Sequence, residues 1–218
     1  MPAFTAKRGR QLLLVLHVLA SVGWVAMAVV QLTLLARAFG MDGGDRLVTF
    51  ETALFLENEI LDPFGIVTAY TGLMLSALTP WGYFRHHWVT VKFWLTLVAV
   101  LLGSLYLGHT LEGIVEAERG GAAWSATSLV VGTCWTLGSL VLMVWVSIAK
   151  PWGRRGARAG RPADWTPPAW VYAAAVVVPV VEYVAKLDYP IMTLAAVIGV
   201  AVHRGRRIRA GRPAAAAR

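Results

Sequence analysis

The charges of this sequence separate by sign once its long apolar blocks are set aside, and that separation restricts the fold more than any other feature. Sixteen of 20 Lys and Arg fall on one set of connections and eleven of 12 Asp and Glu on the alternate set. Lys7, Arg8 and Arg10 precede the first apolar block, and Arg85 and Lys92 open the third. Lys150, Arg154, Arg155, Arg158 and Arg161 follow the fourth, and six arginines from Arg204 to Arg218 follow the last. Asp42, Asp45, Glu51, Glu57, Glu59, Asp62, Glu112, Glu116, Glu118, Glu182 and Asp188 lie in or beside the other connections. Cytoplasmic loops of membrane proteins collect Lys and Arg, so the basic side is expected inside, with both termini cytoplasmic. A net charge of +8 in a soluble chain would suggest nucleic acid; here it is an orientation signal that also attracts anionic lipid, and no nucleic-acid partner is expected.

With 57% hydrophobic and 15% charged residues in 218, the expected class is an all-α, polytopic transmembrane helix bundle of the plasma membrane. The first span reads as Leu12–Leu35, 24 residues, longer than a signal-peptide core of about 7–15 and so read as retained. The second begins near Asp62-Pro63, with Asp as N-cap and Pro at the first helical position, and ends before Thr79-Pro80. The third covers Trp88–Leu107 and the fourth Ser128–Ile148. Residues 156–168, rich in Gly, Pro and Arg, read as a cytoplasmic linker between a four-helix bundle (1–155) and a hairpin (169–204), followed by a basic tail (205–218). A single helix over the last apolar stretch would measure about 50 Å, too long for one crossing. A fifth span alone would leave the tail arginines outside, so about six spans are expected. Gly65, Ala69, Gly72 and Ser76 form a small-residue stripe suited to close helix packing. The single Cys134 rules out an intramolecular disulfide and any multi-cysteine metal site.

Ionisable groups within a bilayer are costly and point to function. His17 and Lys92 lie near the inner boundary, where His17 can hydrogen-bond a hydroxyl and Lys92 can extend its ammonium to the interface. The outer side is richer. Glu57, Glu59 and Asp62 stand at the start of the second span, and Glu182 and Asp188 at the tip of the hairpin. His109, Glu112 and Glu116 share one helical face if the third span continues past Gly108. Glu59, Glu182, Asp188 and Glu57 are the candidate catalytic acids. Tyr183, Tyr189, Trp124, Gln31 and His109 are candidate substrate contacts in an outward-facing, aromatic-lined chamber. The plain alternatives are that Asp62 only caps a helix, that Glu182 pairs with Lys186, and that Glu112, Glu116 and Glu118 are a solvated face.

The segment Thr79-Pro-Trp-Gly-Tyr-Phe-Arg-His-His-Trp-Val-Thr-Val-Lys-Phe-Trp-Leu-Thr96, with Leu16-His-Val-Leu-Ala-Ser-Val-Gly-Trp24 and Lys150-Pro-Trp-Gly153, resembles a family of uncharacterised actinobacterial integral membrane proteins over residues 11–155. That resemblance implies four helices and carries no activity. More distantly, His17, Lys92 and His109 resemble positions in the copper-resistance D and haem-binding protoporphyrinogen oxidase (HemJ) type. His109 stands 17 residues beyond Lys92, about 25 Å along a helix, while His17 is level with Lys92, so one metal cannot take both histidines.

No phosphate loop, H-E-x-x-H or nucleophile elbow is present. Three functions fit these residues. The first is a membrane enzyme of the cyclase type, in which an acid protonates a lipophilic, isoprenoid-type small molecule and aromatic faces stabilise the cation. The second is a haem- or metal-binding redox protein, the one reading that brings in a cofactor. The third is a non-catalytic transport or assembly subunit whose acids attract cations. Membrane lipid is a partner in all three, and the sequence sets no oligomeric state.

Overall fold

A computed structural model describes residues 5–79, 81–152, 167–185 and 191–210. The elements are α1 (Ala6–Ala38), α2 (Gly43–Leu56), a π-helical turn π1 (Glu57–Leu61), α3 (Asp62–Leu78), α4 (His87–Leu101), a second π-turn π2 (Leu102–Leu107), α5 (Gly108–Gly120), α6 (Thr127–Ala149), α7 (Ala169–Val184) and α8 (Ile191–Ala210). The described residues are all-helical, without a strand. Among them four helices are long and apolar enough to cross a membrane: Ala6–Ala38, Gly43–Leu78, His87–Gly120 and Thr127–Ala149, with Ala169–Glu182 as a shorter apolar helix. Only 22% of the apolar window of the first is buried and 11% of that of the third. Leu19, Val22, Leu105, Val131 and Ile148 are exposed, a distribution that water penalises and lipid does not.

Two boundaries differ most from the sequence expectation. The second long helix starts at Gly43, not at Asp62, and the third continues past Leu107 to Gly120. Asp62 is therefore inside a helix rather than capping one, with φ −63° and ψ −47°. The Asp-Pro pair imitates a helix start, but π1 accommodates it. The Asp62 N–H donates to the Glu57 carbonyl five residues back, and this widened turn shifts the backbone ladder just ahead of Pro63, where a proline disrupts a regular α-helix. In π2 the Gly108 N–H donates to the Gly103 carbonyl in the same way. Each π-turn stands where an apolar helix (α3 or α4) meets a polar one (α2 or α5), so both helices outrun about 30 Å of hydrocarbon.

By internal contacts the chain forms two compact units, one of Met1–His17, Tyr70–Thr90 and Trp152–Arg218, the other of Val18–Ala69 and Val91–Pro151. The core of the first unit joins Leu13, Tyr70, Met74, Leu78, Tyr172 and Ala175. Side chains satisfy the carbonyls that a helix leaves open at its C-terminal end. Arg204 donates to the Ser76 and Ala77 carbonyls of α3 at 2.7 Å each, and Tyr172 donates to that of Leu78 at 3.4 Å. Tyr83 donates to the Leu73 carbonyl at 3.0 Å; burial pushes its phenol up to about 12, with Arg204 opposing. His17 Nδ1 lies 3.0 Å from the Thr71 hydroxyl, the hydroxyl contact expected of it.

The second unit has two cores. One joins Leu35, Phe50, Leu107, Leu111, Ile114 and Leu129; the other joins Trp24, Ala28, Leu61, Ala99, Leu140 and Met143. Gly65 lets α3 approach closely in the second, because a Cβ there would stand 3.1 Å from the Trp24 indole and would need the ring to give by a few tenths of an ångström. The polar helices α2 and α5 are tied by Arg46–Glu118 at 2.8 Å and Arg119–Glu51 at 2.7 Å. Gly121, with φ +67°, ends α5, and the Ala122 N–H returns to the Ala117 carbonyl at 2.8 Å.

Candidate functional site: a carboxyl pair between two π-turns

A cavity of about 30 Å³ lies in the second unit, bordered by α1, π1, the start of α3, the end of α4, π2 and α6. That is room for about two water molecules. Its polar lining comes from Gln31, Glu57, Asp62, Ser104, Thr133 and Thr136, and its apolar lining includes Trp24, Leu61, Ala99 and Leu129; no Lys, Arg or His lines it.

Backbone geometry creates this grouping. Five residues of α-helix turn through about 140° beyond a full revolution, which would put Glu57 and Asp62 on different faces. The wider i→i+5 turn removes most of that angle, and both carboxyls then line the same cavity. Opposite them, π2 presents Ser104, whose hydroxyl donates to Asp62 Oδ1. Glu57 is buried at 6% exposure.

Gln31 is held in one orientation. Its Nε2 donates to the Ala53 carbonyl at 3.3 Å, which leaves Oε1, an acceptor, turned to the interior. Gln31 is 3% exposed, and its Oε1 has no hydrogen-bond partner among the described residues. The Thr136 hydroxyl, on a residue 6% exposed, is in the same position. Thr133 donates to the Leu129 carbonyl of its own helix at 2.8 Å. Orphaned buried polar atoms cost roughly 1–3 kcal/mol each, and both belong to residues that line this cavity.

The structure unites only part of the residue set expected from sequence. Glu57 and Gln31 share the cavity, whereas Glu59, expected with Glu182 to be the proton-donating pair, is exposed, two residues round the π-turn from Glu57. His109, Glu112 and Glu116 do share a helix, since the third helix continues, but they are all exposed. Trp124 is packed as a support: its indole donates to Glu118 at 2.5 Å, Phe50 meets it edge-on at 5.2 Å, and the Arg46 guanidinium lies 5.5 Å over the ring. Glu182 belongs to the first unit and caps α8. Its carboxylate accepts the Met192 N–H at 2.7 Å, the Thr193 N–H at 3.1 Å and the Thr193 hydroxyl. Compensation for that buried charge therefore comes from a helix N-terminus. The expected partner Lys186, with Asp188, Tyr189 and the Tyr183 side chain, lies outside the described residues.

Asp62, Ser104, Thr133 and Thr136 complete the cavity; in sequence Asp62 stood among the outer acids, and Thr136 stood only with Gly132 and Ser139 as small residues suited to helix packing. The available signal was Ser and Thr at single positions inside apolar runs. Among the described residues no three or more His, Cys, Asp or Glu are placed to hold a metal ion. Lys92 Nζ donates to the Ser147 hydroxyl at 2.6 Å. A second, apolar cavity of about 320 Å³ lies in the first unit, bordered by Met74, Trp170, Val171, Ala175, Val200 and His203. No protein-family model, curated protein or solved structure matches the chain.

Proposed function

We propose that this is a multi-pass plasma-membrane protein of about six spans with cytoplasmic termini, and that Glu57 and Asp62 form the charge-handling site of a cation-linked transport or permeation element. One observation carries the reading: two carboxyls line a water-sized cavity between long apolar helices, with no basic side chain in its wall. Two uncompensated negative charges there would be costly, and a bound proton or small cation relieves the cost. π-turns placed inside helices recur at functional sites, because they aim side chains that a regular helix would scatter.

Acid-initiated chemistry on an isoprenoid-type molecule would draw on the same acids. Pockets for such ligands run to about 300–1,000 Å³, and a cavity of about 30 Å³ favours an ion or water as what the carboxyls meet. The test is flux. Purified protein in sealed vesicles with a pH-reporting dye inside, driven by an imposed potential, should dissipate a proton or cation gradient. Glu57→Gln and Asp62→Asn should each slow dissipation about tenfold or more. Wild-type rates in both variants, at wild-type folded yield, would refute the proposal.

A further inference from the structure

We infer that the apolar cavity of the first unit binds an anionic glycerophospholipid, with one acyl chain between α3, α7 and α8 and the phosphate held by Arg206 and Arg207. This site is separate from the carboxyl pair and does not depend on the function proposed for it.

The cavity measures about 320 Å³, and among the described residues its one titratable lining side chain is His203. An apolar cavity of about 150 Å³ stays dry and takes one benzene, so this one suits roughly twelve chain carbons. Its room comes from small residues, Ala174 and Ala175 on α7 and Ala196 and Gly199 on α8. A Cβ added at Gly199 would meet nothing within 4 Å. A hydrocarbon chain supplies the dispersion contacts that such walls otherwise lack.

Positive charge stands at one end of this space. Ala196, Gly199, Val200 and His203 recur at helical spacing, so one stripe of α8 borders the cavity. The same stripe continues to Arg206 and Arg207, three and four residues past His203, and both are exposed. Arg204 is already engaged, because it donates to the Ser76 and Ala77 carbonyls and so fixes α8 against α3. Glu182 is the only acid among the described residues of this unit, and it accepts N–H groups at the opposite end of α8. An anion from outside therefore complements Arg206 and Arg207, as anionic lipid head groups do in basic pockets between membrane helices.

Tyr172 and Arg204 both reach the last carbonyls of α3, so the start of α7 and the end of α8 are level. Trp170, which borders the cavity and is exposed, belongs to that end, where indoles suit the membrane–water boundary. The rise from His203 to Arg207 is about 6 Å. A glycerol backbone spans that gap between chain and phosphate, whereas the carboxylate of a fatty acid follows its chain directly.

The test places the full chain in phosphatidylcholine vesicles with a trace of phosphatidylglycerol, or of phosphatidylcholine, bearing a diazirine on one acyl chain. After illumination, mass spectrometry reads the label around Val171 and Val200. Exposed Ile148, two residues before Lys150, is the reference for lipid that merely surrounds a basic helix end. Phosphatidylglycerol should label the cavity at least about fivefold more than phosphatidylcholine, after division by the same ratio at Ile148. With Arg206→Gln and Arg207→Gln together, that quotient should fall to one. Gly199→Phe should lower cavity labelling by both lipids and leave Ile148 unchanged, and Ala196→Leu replaces it should that variant fail to fold. The inference is overturned by a wild-type quotient of one, by a preference that survives loss of both arginines, or by labelling that filling the cavity does not reduce. It is also overturned if a long-chain fatty acid competes with the label as well as unlabelled phosphatidylglycerol does.

Discussion

Replacing Glu182 by Gln tests whether that acid is a helix cap. The carboxylate is 6% exposed and accepts two backbone N–H groups, from Met192 and Thr193, besides the Thr193 hydroxyl. Glutamine keeps the shape but has one acceptor oxygen. Its NH₂ would face a donor, so at least one of the two amides is orphaned. Hydrogen bonds to charged groups are worth about 1.5–3 kcal/mol, and the loss of charge at the N-terminus of α8 removes a further 0.3–1 kcal/mol or so. The first turn of α8 should therefore open about 2–4 kcal/mol more easily, equivalent to roughly 30- to 1,000-fold faster amide exchange under native conditions. Hydrogen–deuterium exchange resolved to the amides of Met192 and Thr193 is the assay, with the amides of α6 as internal reference. Acceleration confined to the start of α8, with the π1–π2 cavity untouched, is expected. Unchanged exchange at both amides would refute the capping role and return Glu182 to the candidates for chemistry.

Arg204→Met removes the two donors that cover the Ser76 and Ala77 carbonyls. It should lower stability by about 2–3 kcal/mol, discounted for partial exposure, with Arg204→Lys intermediate by chemical denaturation in micelles. Ser104→Ala leaves Asp62 without its hydroxyl donor; it should slow the flux that depends on Asp62 severalfold while leaving overall helicity unchanged by circular dichroism. Arg46→Ala breaks the pairing of α2 with α5 at Glu118; proteolysis of that end should accelerate, and high salt should erase the difference from wild type. A topology reporter fused after Arg218 should be active only on the cytoplasmic side, and activity on the outer side alone would remove the six-span count.

What the sequence determined by itself was class and boundaries written in local composition. Apolar runs of sufficient length announced the helices, and α3 ends at Leu78, as the Thr79-Pro80 pair foretold. The fourth helix, Thr127–Ala149, lies within a residue of its expected ends. The continuation of the third helix past Gly108 was legible only as a condition, because Gly108 and His109 neither extend nor break a helix decisively. The site was decided by tertiary structure. Which carboxyls meet depends on a π-turn, a change of one residue in hydrogen-bond register that no apolar periodicity records, and it brought Glu57 and Asp62 to one cavity. Asp62-Pro63 imitated a helix start because caps and π-turns accept the same residues. Gln31 stood in sequence only as a candidate contact, and its unpartnered oxygen, like that of Thr136, shows only in the packed structure, since an unsatisfied atom is defined by its neighbours and not by its own identity.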